Sequence, residues 1–329
     1  MATDRPLWRN ALNFSSTRHA GHAGARRGAQ PQFKSSISST MGKVKSAKAA
    51  EKKRQRLLAA QAAKRVKESI KAAYEVENPL DGLDPFLAFD VAPIGDEKKA
   101  LATTDGTSGG LPSPSSAADV PSKVDGVEEN NGDEDTKPKN KIPVKVSFQS
   151  SPLPVDLHDA CLDLFKANMS DMYQASSWGL DLDEKSSELR HETARFLIVE
   201  AAADADGTDA NTNDDGTTKR DVLAFVHFRF EPNDDEKPTE EVLYVYEIQV
   251  SDRAQRSGLG KRLMNIMELV ANKNGMQKVM LTVFKMNGGA MKFYREKMKY
   301  AIDESSPSNF DGEVADYEIL SKVVGRKKE

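Results

Sequence analysis

The stretch "QVSDRAQRSGLGKRLMNIMELV", residues 249–270, joins the pattern of an apolar strand to the pattern of an amphipathic helix. Residues 241–250 are β-branched and aromatic, which predicts a strand. Gly258 and Gly260 fall in the first turn of the helix predicted for residues 259–273. Glycines at a helix N-terminus leave backbone N–H groups open to close approach, and the helix dipole favours an anion there. The apolar face of this helix consists of Leu263, Ile266, Met267 and Val270.

Three basic residues, Arg253, Arg256 and Lys261, add positive charge around these glycines, so the joint could hold a pyrophosphate. It is not a Walker motif, which needs Gly-Lys-Ser or Gly-Lys-Thr, and Leu263 occupies the third glycine position of the dinucleotide motif. On these residues alone, a phosphate site and an ordinary basic surface loop both remain open.

The apolar residues, 38% of the 329, are unevenly distributed. They recur regularly only from about Lys145 onward, which predicts one folded domain, residues 142–325, behind a long N-terminal extension. We expect a disordered tail or targeting segment over 1–42 and a basic helix with an arm that packs on the domain over 43–92. A disordered linker is expected over 93–141. Arginine-rich residues 1–40 fit a transit peptide, and a start at Met41 would expose a myristoylation pattern.

Within the folded domain the predicted order is strand, two helices, three hairpin-linked strands, helix, strand, helix and strand. The second of these helices is predicted over Glu184–His191 and the last over Gly289–Lys299. This order indicates an α/β fold with one mixed sheet and helices on both faces. Two polar segments, residues 204–218 and 231–241, are expected to be long hairpin loops.

The remaining composition narrows the class of protein. With Cys161 as the single cysteine and five scattered histidines, neither an intramolecular disulfide nor a cysteine-built metal site is expected. We expect no metal, no membrane span, a monomer, and a reducing compartment, namely nucleus and cytoplasm. The basic helix lacks interleaved aromatic residues, so direct nucleic-acid binding is not expected. The net charge of -4 says little about partners, because the basic helix and the acidic linker offset one another.

Two motifs resemble those of the GCN5-related N-acetyltransferases (GNAT). Gln255-x-x-Gly258-x-Gly260 resembles the acetyl-CoA pyrophosphate loop, and Asn287-x-x-Ala290-x-x-Phe293-Tyr294 is similar to the second cofactor motif. The resemblance implies the GNAT fold, acetyl-CoA as co-substrate, and contacts from the strand end, the loop and the second motif. Those cofactor residues are Ile248, Gln249, Val250, Gln255, Arg256, Ser257, Gly258, Leu259, Gly260, Lys261 and Asn287. The chain departs from the family where Met298, Lys299 and Tyr300 replace the usual Gly-aromatic pair, which leaves the end of that helix in question.

Longer stretches, among them "LYVYEIQV", "MYQASSWG", "AIDESSPS" and "DYEILS", are similar to the histone-specific N-terminal acetyltransferases of this family. That closer resemblance implies transfer of acetyl from acetyl-CoA to the N-terminal serine amine of histones 2A and 4, whose tails would be the partners. The alternatives are an acetyltransferase for other N-termini, lysines or small amines, and a chromatin-binding or nucleic-acid-binding module with an inactive cofactor loop.

The resemblance implies roles for individual residues. Glu247 is the expected general base, assisted by Tyr246, and Tyr294 is expected to protonate the leaving thiolate. Regular alternation puts Tyr246 and Glu247 on opposite faces of the strand, unless a β-bulge brings both within reach. Substrate contacts are expected from Tyr173, Trp178, Glu231, Tyr246, Thr282, Ser305 and Tyr317. The bland readings are core packing for Tyr173 and Trp178, a core aromatic residue for Tyr294 and a helix cap for Asn287. For Glu247 the bland reading is a surface or paired carboxylate, and for Glu231 it is a solvated loop charge.

Overall fold

The structure is a computed structural model that describes residues 37–91, 142–201, 220–310 and 314–325. The expectations for the first 36 residues, for the linker 93–141 and for the polar segment 204–218 therefore concern residues outside the described part of the chain. Within the described ranges, none of the helices combines the length and the apolar character needed to cross a bilayer.

Eight strands form one mixed sheet in the order β1-β2-β3-β4-β5-β6-β8-β7. Neighbouring strands are antiparallel, except that β5 and β6 are parallel. The predicted mixed α/β sheet is thus confirmed, and two short edge strands, β1 and β7, were not predicted. The strands are β1 Ala88–Val91, β2 Ile142–Ser150, β3 Arg195–Ala201, β4 Val222–Pro232, β5 Glu241–Val250, β6 Lys278–Phe284, β7 Ala301–Ile302 and β8 Tyr317–Val323.

Helices cover both faces of the sheet, as the apolar patterns predict. One face packs against α4, whose apolar stripe is buried beside Leu197, Val226 and Val245. The opposite face packs against α2 and α3, where Phe165 contacts a cluster that includes Phe196 and Phe225. The helices are α1 Ile37–Tyr74, α2 Val155–Ala175, α3 Leu182–Leu189, α4 Leu259–Lys273 and α5 Gly288–Lys292.

The last turn of α1 is anchored to β4. Pairing between β3 and β4 ends at Phe228, so the next backbone groups on that side of β4 need other partners. Tyr74 provides them, because its hydroxyl donates to the carbonyl of Phe230 at 3.0 Å and accepts from the Phe230 N–H at 2.9 Å. Burial and the charge of Glu231 raise the pKa of Tyr74 to about 12, so this hydroxyl keeps its proton at neutral pH. Val66 and Ala73 of the same helix are buried.

We expect Tyr74→Phe to lower the free energy of unfolding by about 2 kcal/mol, because a buried N–H and a buried carbonyl lose their partner. Urea denaturation measures this loss. The control is Leu58→Ala on the exposed part of α1, which should change stability by less than about 0.5 kcal/mol. Equal stability of wild type and Tyr74→Phe would mean that the end of α1 is not anchored in solution.

The arm after α1 also contacts the domain. β1 adds to the edge of the sheet beside β2. The guanidinium of Arg262 lies 3.9 Å from the ring centroid of Phe89 and donates to the carbonyl of Phe86 at 3.2 Å. Arg262 therefore holds the arm against α4.

The last predicted helix, residues 289–299, is shorter than expected. α5 ends at Lys292 and continues as a π-helical turn over Phe293–Lys297, in which the Met298 N–H donates to the Phe293 carbonyl at 3.0 Å. Lys299 then adopts a left-handed φ of 63°. The chain thus makes with a lysine the turn for which the resembled family uses glycine, at a conformational cost of about 1 to 2 kcal/mol.

Candidate functional site

A cleft opens in the sheet between β5 and β6. Their parallel pairing covers only Val242–Val245 against Lys278–Leu281, although β5 continues to Val250 and β6 to Phe284. Beyond Val245, neither strand hydrogen bonds to the other. The edge of β5 from Tyr246 to Val250 therefore offers backbone groups to a ligand lying between the strands.

A β-bulge occurs where this pairing stops. His227 pairs with Glu247 and Phe228 pairs with Val245, which leaves Tyr246 as the extra residue of β5. The bulge reverses the alternation, so that Tyr246 and Glu247 both lie on the face covered by α2 and α3. The sequence left open which face carries the chemistry, and the bulge brings both side chains to one face.

Glu247 is buried, with 6% of its surface exposed, and its carboxylate has three side-chain donors. Oε1 accepts from Lys185 Nζ at 2.8 Å and from the Tyr173 hydroxyl at 3.5 Å. Oε2 accepts from Gln249 Nε2 at 2.8 Å. Of the two bland readings of Glu247, a surface carboxylate is wrong because the side chain is buried, whereas a paired carboxylate agrees with its ion pair to Lys185.

The side chain of Tyr246 lies on a polar stack that continues across β4. Its ring is stacked 4.9 Å from His227, and the Arg229 guanidinium lies 4.3 Å from its centroid. Its hydroxyl donates to Glu231 Oε1 at 2.7 Å. Burial, with Arg229 and Lys185 nearby, holds the pKa of His227 well below its usual range, so this imidazole stays neutral. Arg229 Nε donates to His227 Nε2 at 3.3 Å, which places the histidine proton on Nδ1.

Tyr294 is buried at the end of the second motif, with its ring 5.0 Å from Phe293. Its burial and the negative charge of Glu247 raise the pKa of the phenol above its usual range. The hydroxyl therefore keeps its proton at neutral pH, as a proton donor must.

The loop before α4 is shaped to bind an anion. Arg256 and Gly258 both have left-handed φ values, 57° and 91°, which turn the chain sharply before α4 begins at Leu259. The first N–H groups of any α-helix lack intrahelical acceptors, and those of Gly260 and Lys261 belong to this set. Gln255 Nε2 donates to the Val250 carbonyl at 3.1 Å and so ties the loop to the end of β5.

Two of the basic residues near this loop have other partners. Arg253 forms an ion pair with Asp221, and Arg262 binds the arm. The expectation that Arg253 adds positive charge for a phosphate is therefore wrong, since a carboxylate from β4's start neutralises it. Arg256 and Lys261 remain as cations of the loop.

Most of the residues predicted to bind substrate lie together. Trp178 is 5.1 Å from Tyr317 and 6.0 Å from Tyr173, measured between ring centroids. Phe284, which was not predicted, lies 4.9 Å from Trp178 and joins the three rings into one aromatic cluster. The bland reading of core packing for Tyr173 and Trp178 is thus correct in part, since both rings pack in this cluster but stay half-buried.

Three predicted residues have contacts of their own. Thr282 hydrogen bonds to the Tyr244 hydroxyl beside the aromatic cluster. Ser305 donates to Asp303 Oδ1 at 2.7 Å, in the loop after β7. Asn287 Oδ1 accepts from the Ala290 N–H at 3.0 Å, so Asn287 caps α5, as its bland reading supposed.

The site also contains charged residues that the sequence did not reveal. Lys185 and Glu188 from α3 join the buried network around Glu247, with Lys185 Nζ 2.8 Å from an oxygen of each carboxylate. The segment that carries them, "LDEKSSEL", is polar between its two terminal leucines and resembles a solvent-exposed helix. Among the described residues, no group of three His, Cys, Asp or Glu side chains could hold a metal ion.

Residues 163–300 match the family model described as "Acetyltransferase (GNAT) family". Among solved structures, NAA60 of Arabidopsis thaliana with acetyl-CoA is 13% identical, covers 55% of this chain and 99% of its own, and has a TM-score of 0.36. Ard1 of Thermoplasma volcanium is 15% identical, with 54% and 97% covered and a TM-score of 0.35. Nourseothricin acetyltransferase is 21% identical, with 40% and 66% covered and a TM-score of 0.28. Such low identities and scores carry no argument about this chain's chemistry. Residues 163–300 are thus similar to the acetyltransferase (GNAT) family, and the mixed sheet with its splayed strands β5 and β6 agrees with that similarity.

Proposed function

We propose that this protein is N-alpha-acetyltransferase D, which transfers acetyl from acetyl-CoA to the N-terminal serine amine of histones 2A and 4. The observation that carries the proposal is the bulge in β5. It puts the buried carboxylate of Glu247 and the phenol of Tyr246, which is hydrogen bonded to Glu231, on one face at the mouth of the cleft. The choice of substrate is supported by the stretches "LYVYEIQV" in this strand and "MYQASSWG" at the aromatic cluster, which resemble those of histone-specific N-terminal acetyltransferases.

The residues present fit acetyl-CoA. The cleft between β5 and β6 leaves the edge of β5 open to a long, narrow ligand, and the loop at Gly258 offers N–H groups and two cations to a pyrophosphate. Ile248, Gln249 and Val250 would line the pantetheine, and Arg256, Gly258, Gly260 and Lys261 would hold the phosphates. The Gln249 side chain is bonded to Glu247, so this residue would contact the ligand through its backbone.

Acetyl-CoA supplies an acetyl group activated as a thioester. Glu247 would take the proton of the α-amine as its nitrogen forms the bond to the carbonyl carbon. Backbone N–H groups of Ile248–Val250 would stabilise the charge that develops on the carbonyl oxygen. Tyr294 would give its proton to the sulfur as the carbon–sulfur bond breaks. An α-amine has a pKa of about 7.7 to 8.0, so about a tenth of it is neutral near pH 7 and a modest base suffices.

The wall beside Glu247 suits a small cationic tail. Tyr173, Trp178 and Tyr317 present aromatic surface, and Glu231 adds a carboxylate beside the Tyr246 hydroxyl. Arginine binds well to aromatic faces and to carboxylates. A tail beginning Ser-Gly-Arg-Gly would place its arginine two residues from the reacting amine, within reach of these groups. With histones as substrates, we propose that the protein acts in the nucleus and the cytoplasm.

Mass spectrometry of a Ser-Gly-Arg-Gly histone-4 peptide incubated with the full chain and acetyl-CoA tests the proposal. We expect one acetyl group on the α-amine. Acetyl on an internal lysine, or no product, would refute it. A peptide of the same length and charge with an unrelated N-terminus is the control, and equal rates on both would favour an acetyltransferase for other N-termini. Steeply salt-dependent DNA binding without acetyl-CoA binding would favour the chromatin-binding alternative.

Gly258→Ala should weaken acetyl-CoA binding, raising the KM for acetyl-CoA about tenfold with little change in the KM for peptide. A Cβ at Gly258 meets no atom within 4 Å, but φ of 91° strains any L side chain and shifts the loop N–H groups. The matched control is Gly275→Ala after the other end of α4, where φ is 77° and space is also open. It should lower stability similarly and leave both KM values unchanged. A loss of acetyl-CoA affinity in both variants would point to general destabilisation of α4.

A further inference from the structure

A lysine from α3 is buried against the expected general base. Lys185 is 7% exposed, and its Nζ lies 2.8 Å from Glu247 Oε1 and 2.8 Å from Glu188 Oε1. The same Nζ lies 4.8 Å from the ring centroid of Phe165 and 5.5 Å from that of Tyr173. An ammonium group enclosed by two carboxylates and two aromatic faces is strongly held in its charged form.

The placement of Lys185 is itself supported. Asp181 caps α3 by accepting from the Glu184 N–H at 2.9 Å. Arg229 Nη2 donates to the backbone carbonyl of Glu188 at 2.7 Å, which ties α3 to β4. Glu188 is mostly buried as well, with 11% of its side chain exposed, so it has no bulk solvent to balance its charge. The helix, the second carboxylate and β4 thus all hold Lys185 toward Glu247.

The charges of this cluster do not cancel. Glu247 and Glu188 carry two negative charges, and Lys185 carries one positive charge between them. The other polar or titratable groups that face the cluster include Tyr173 from α2, Glu184 from α3, His227 and Arg229 from β4, Tyr246 and Gln249 from β5, and Tyr294 from the turn after α5. Of these, Arg229 is the one further cation, and it lies on the far side of His227, stacked on Tyr246.

We propose that Lys185 is a positioning residue for Glu247, whose carboxylate it holds at the bulge through their ion pair so that the carboxylate can take the proton of the substrate amine. The inference rests on the proposed function. Glu188 acts through Lys185, because its carboxylate holds the other side of the ammonium. Without Lys185, two buried carboxylates would face each other, and one of them would carry a proton up to a higher pH.

Lys185→Met tests the proposal, because methionine keeps most of the volume and removes the charge. We expect kcat at pH 6.5 to fall at least tenfold and the acidic limb of the kcat profile to move up by about one pH unit or more. The KM for acetyl-CoA should not change. Lys185→Arg keeps the charge and should return the limb close to its wild-type position. In Glu188→Gln the ammonium of Lys185 no longer pairs with a second carboxylate and stabilises the charge of Glu247 alone. The acidic limb of the kcat profile of this variant should therefore move to lower pH.

The matched control is Lys278→Met. Lys278 also lies between carboxylates, with Nζ 2.6 Å from Glu240, 3.6 Å from Asp303 and 3.9 Å from Glu304, at the other end of the parallel strand pair. This variant should lose stability without moving the acidic limb. The proposal would be overturned if Lys185→Met, shown by its melting curve to be folded, had the same acidic limb of the kcat profile as wild type. If Lys185→Met does not fold, a Glu188→Gln limb that stays in place overturns it instead.

The wild-type enzyme in the same assay separates the two proposals. Absence of α-amine acetylation by wild type refutes the proposed function. Acetylation by wild type together with unmoved limbs in the Lys185 and Glu188 variants refutes only the role of Lys185.

Discussion

Glu247→Gln should lower kcat about a hundredfold at pH 6.5 and less than tenfold at pH 9. General-base catalysis typically contributes 10²-fold to 10⁴-fold, and it matters most where the substrate amine is protonated. Near pH 9 most of an α-amine has already lost its proton, so a base has little left to remove. Kinetics on a Ser-Gly-Arg-Gly peptide between pH 6 and pH 9.5 measure the effect.

Glutamine keeps the volume of Glu247 and can still accept from Lys185, so the fold should survive the substitution. Acetyl-CoA affinity and the melting temperature check this. Glu268→Gln is the matched control, because Glu268 loses an ion pair with Lys322 at 2.8 Å but lies on α4, behind the other face of the sheet. A pH profile of Glu247→Gln that parallels wild type at every pH would remove Glu247 as the base.

The fold was largely predictable because its signals are local. The strand ending at Val250 and the helix beginning at Leu259 are marked by β-branched residues, two glycines and an apolar stripe, and the structure has the helix over the predicted residues. The second predicted helix, Glu184–His191, is displaced by two residues, to Leu182–Leu189, because Asp181 supplies the cap. The short strands β1 and β7 were missed, since two to four residues carry no readable period.

The site was predictable only where its residues belong to a motif. The bulge at Tyr246 has no mark in "LYVYEIQV", which alternates regularly without a glycine, and it becomes visible only in the pairing with β4. Lys185 and Glu188 were missed because a charged, short helix has the composition of a surface helix whether or not one of its faces is buried. Arg253 was misjudged because Asp221, its partner, lies 32 residues away in the chain.

Glu231→Gln should lower kcat/KM on a Ser-Gly-Arg-Gly peptide by roughly tenfold to a hundredfold, as expected for the loss of a charged hydrogen bond worth about 1.5 to 3 kcal/mol. Glu231 lies near the end of β4, and the Tyr246 hydroxyl already fixes one of its oxygens at 2.7 Å. If this carboxylate binds the arginine of the tail, the loss should shrink to less than about threefold on a Ser-Gly-Gln-Gly peptide. The two enzymes and two peptides form a double-mutant cycle.

Two further variants locate the effect of Glu231. Glu236→Gln changes the net charge equally but lies exposed in the loop between β4 and β5, so its kcat/KM should equal that of wild type. Tyr246→Phe removes the hydrogen bond to Glu231 but leaves the negative charge of Glu231 in place. This variant should therefore weaken peptide binding less than Glu231→Gln does. Equal losses on both peptides with Glu231→Gln would show that the carboxylate acts on the amine instead of the arginine. In that case Glu231 and Glu247 would share the amine, and preference for an arginine-containing tail would have to come from the aromatic cluster.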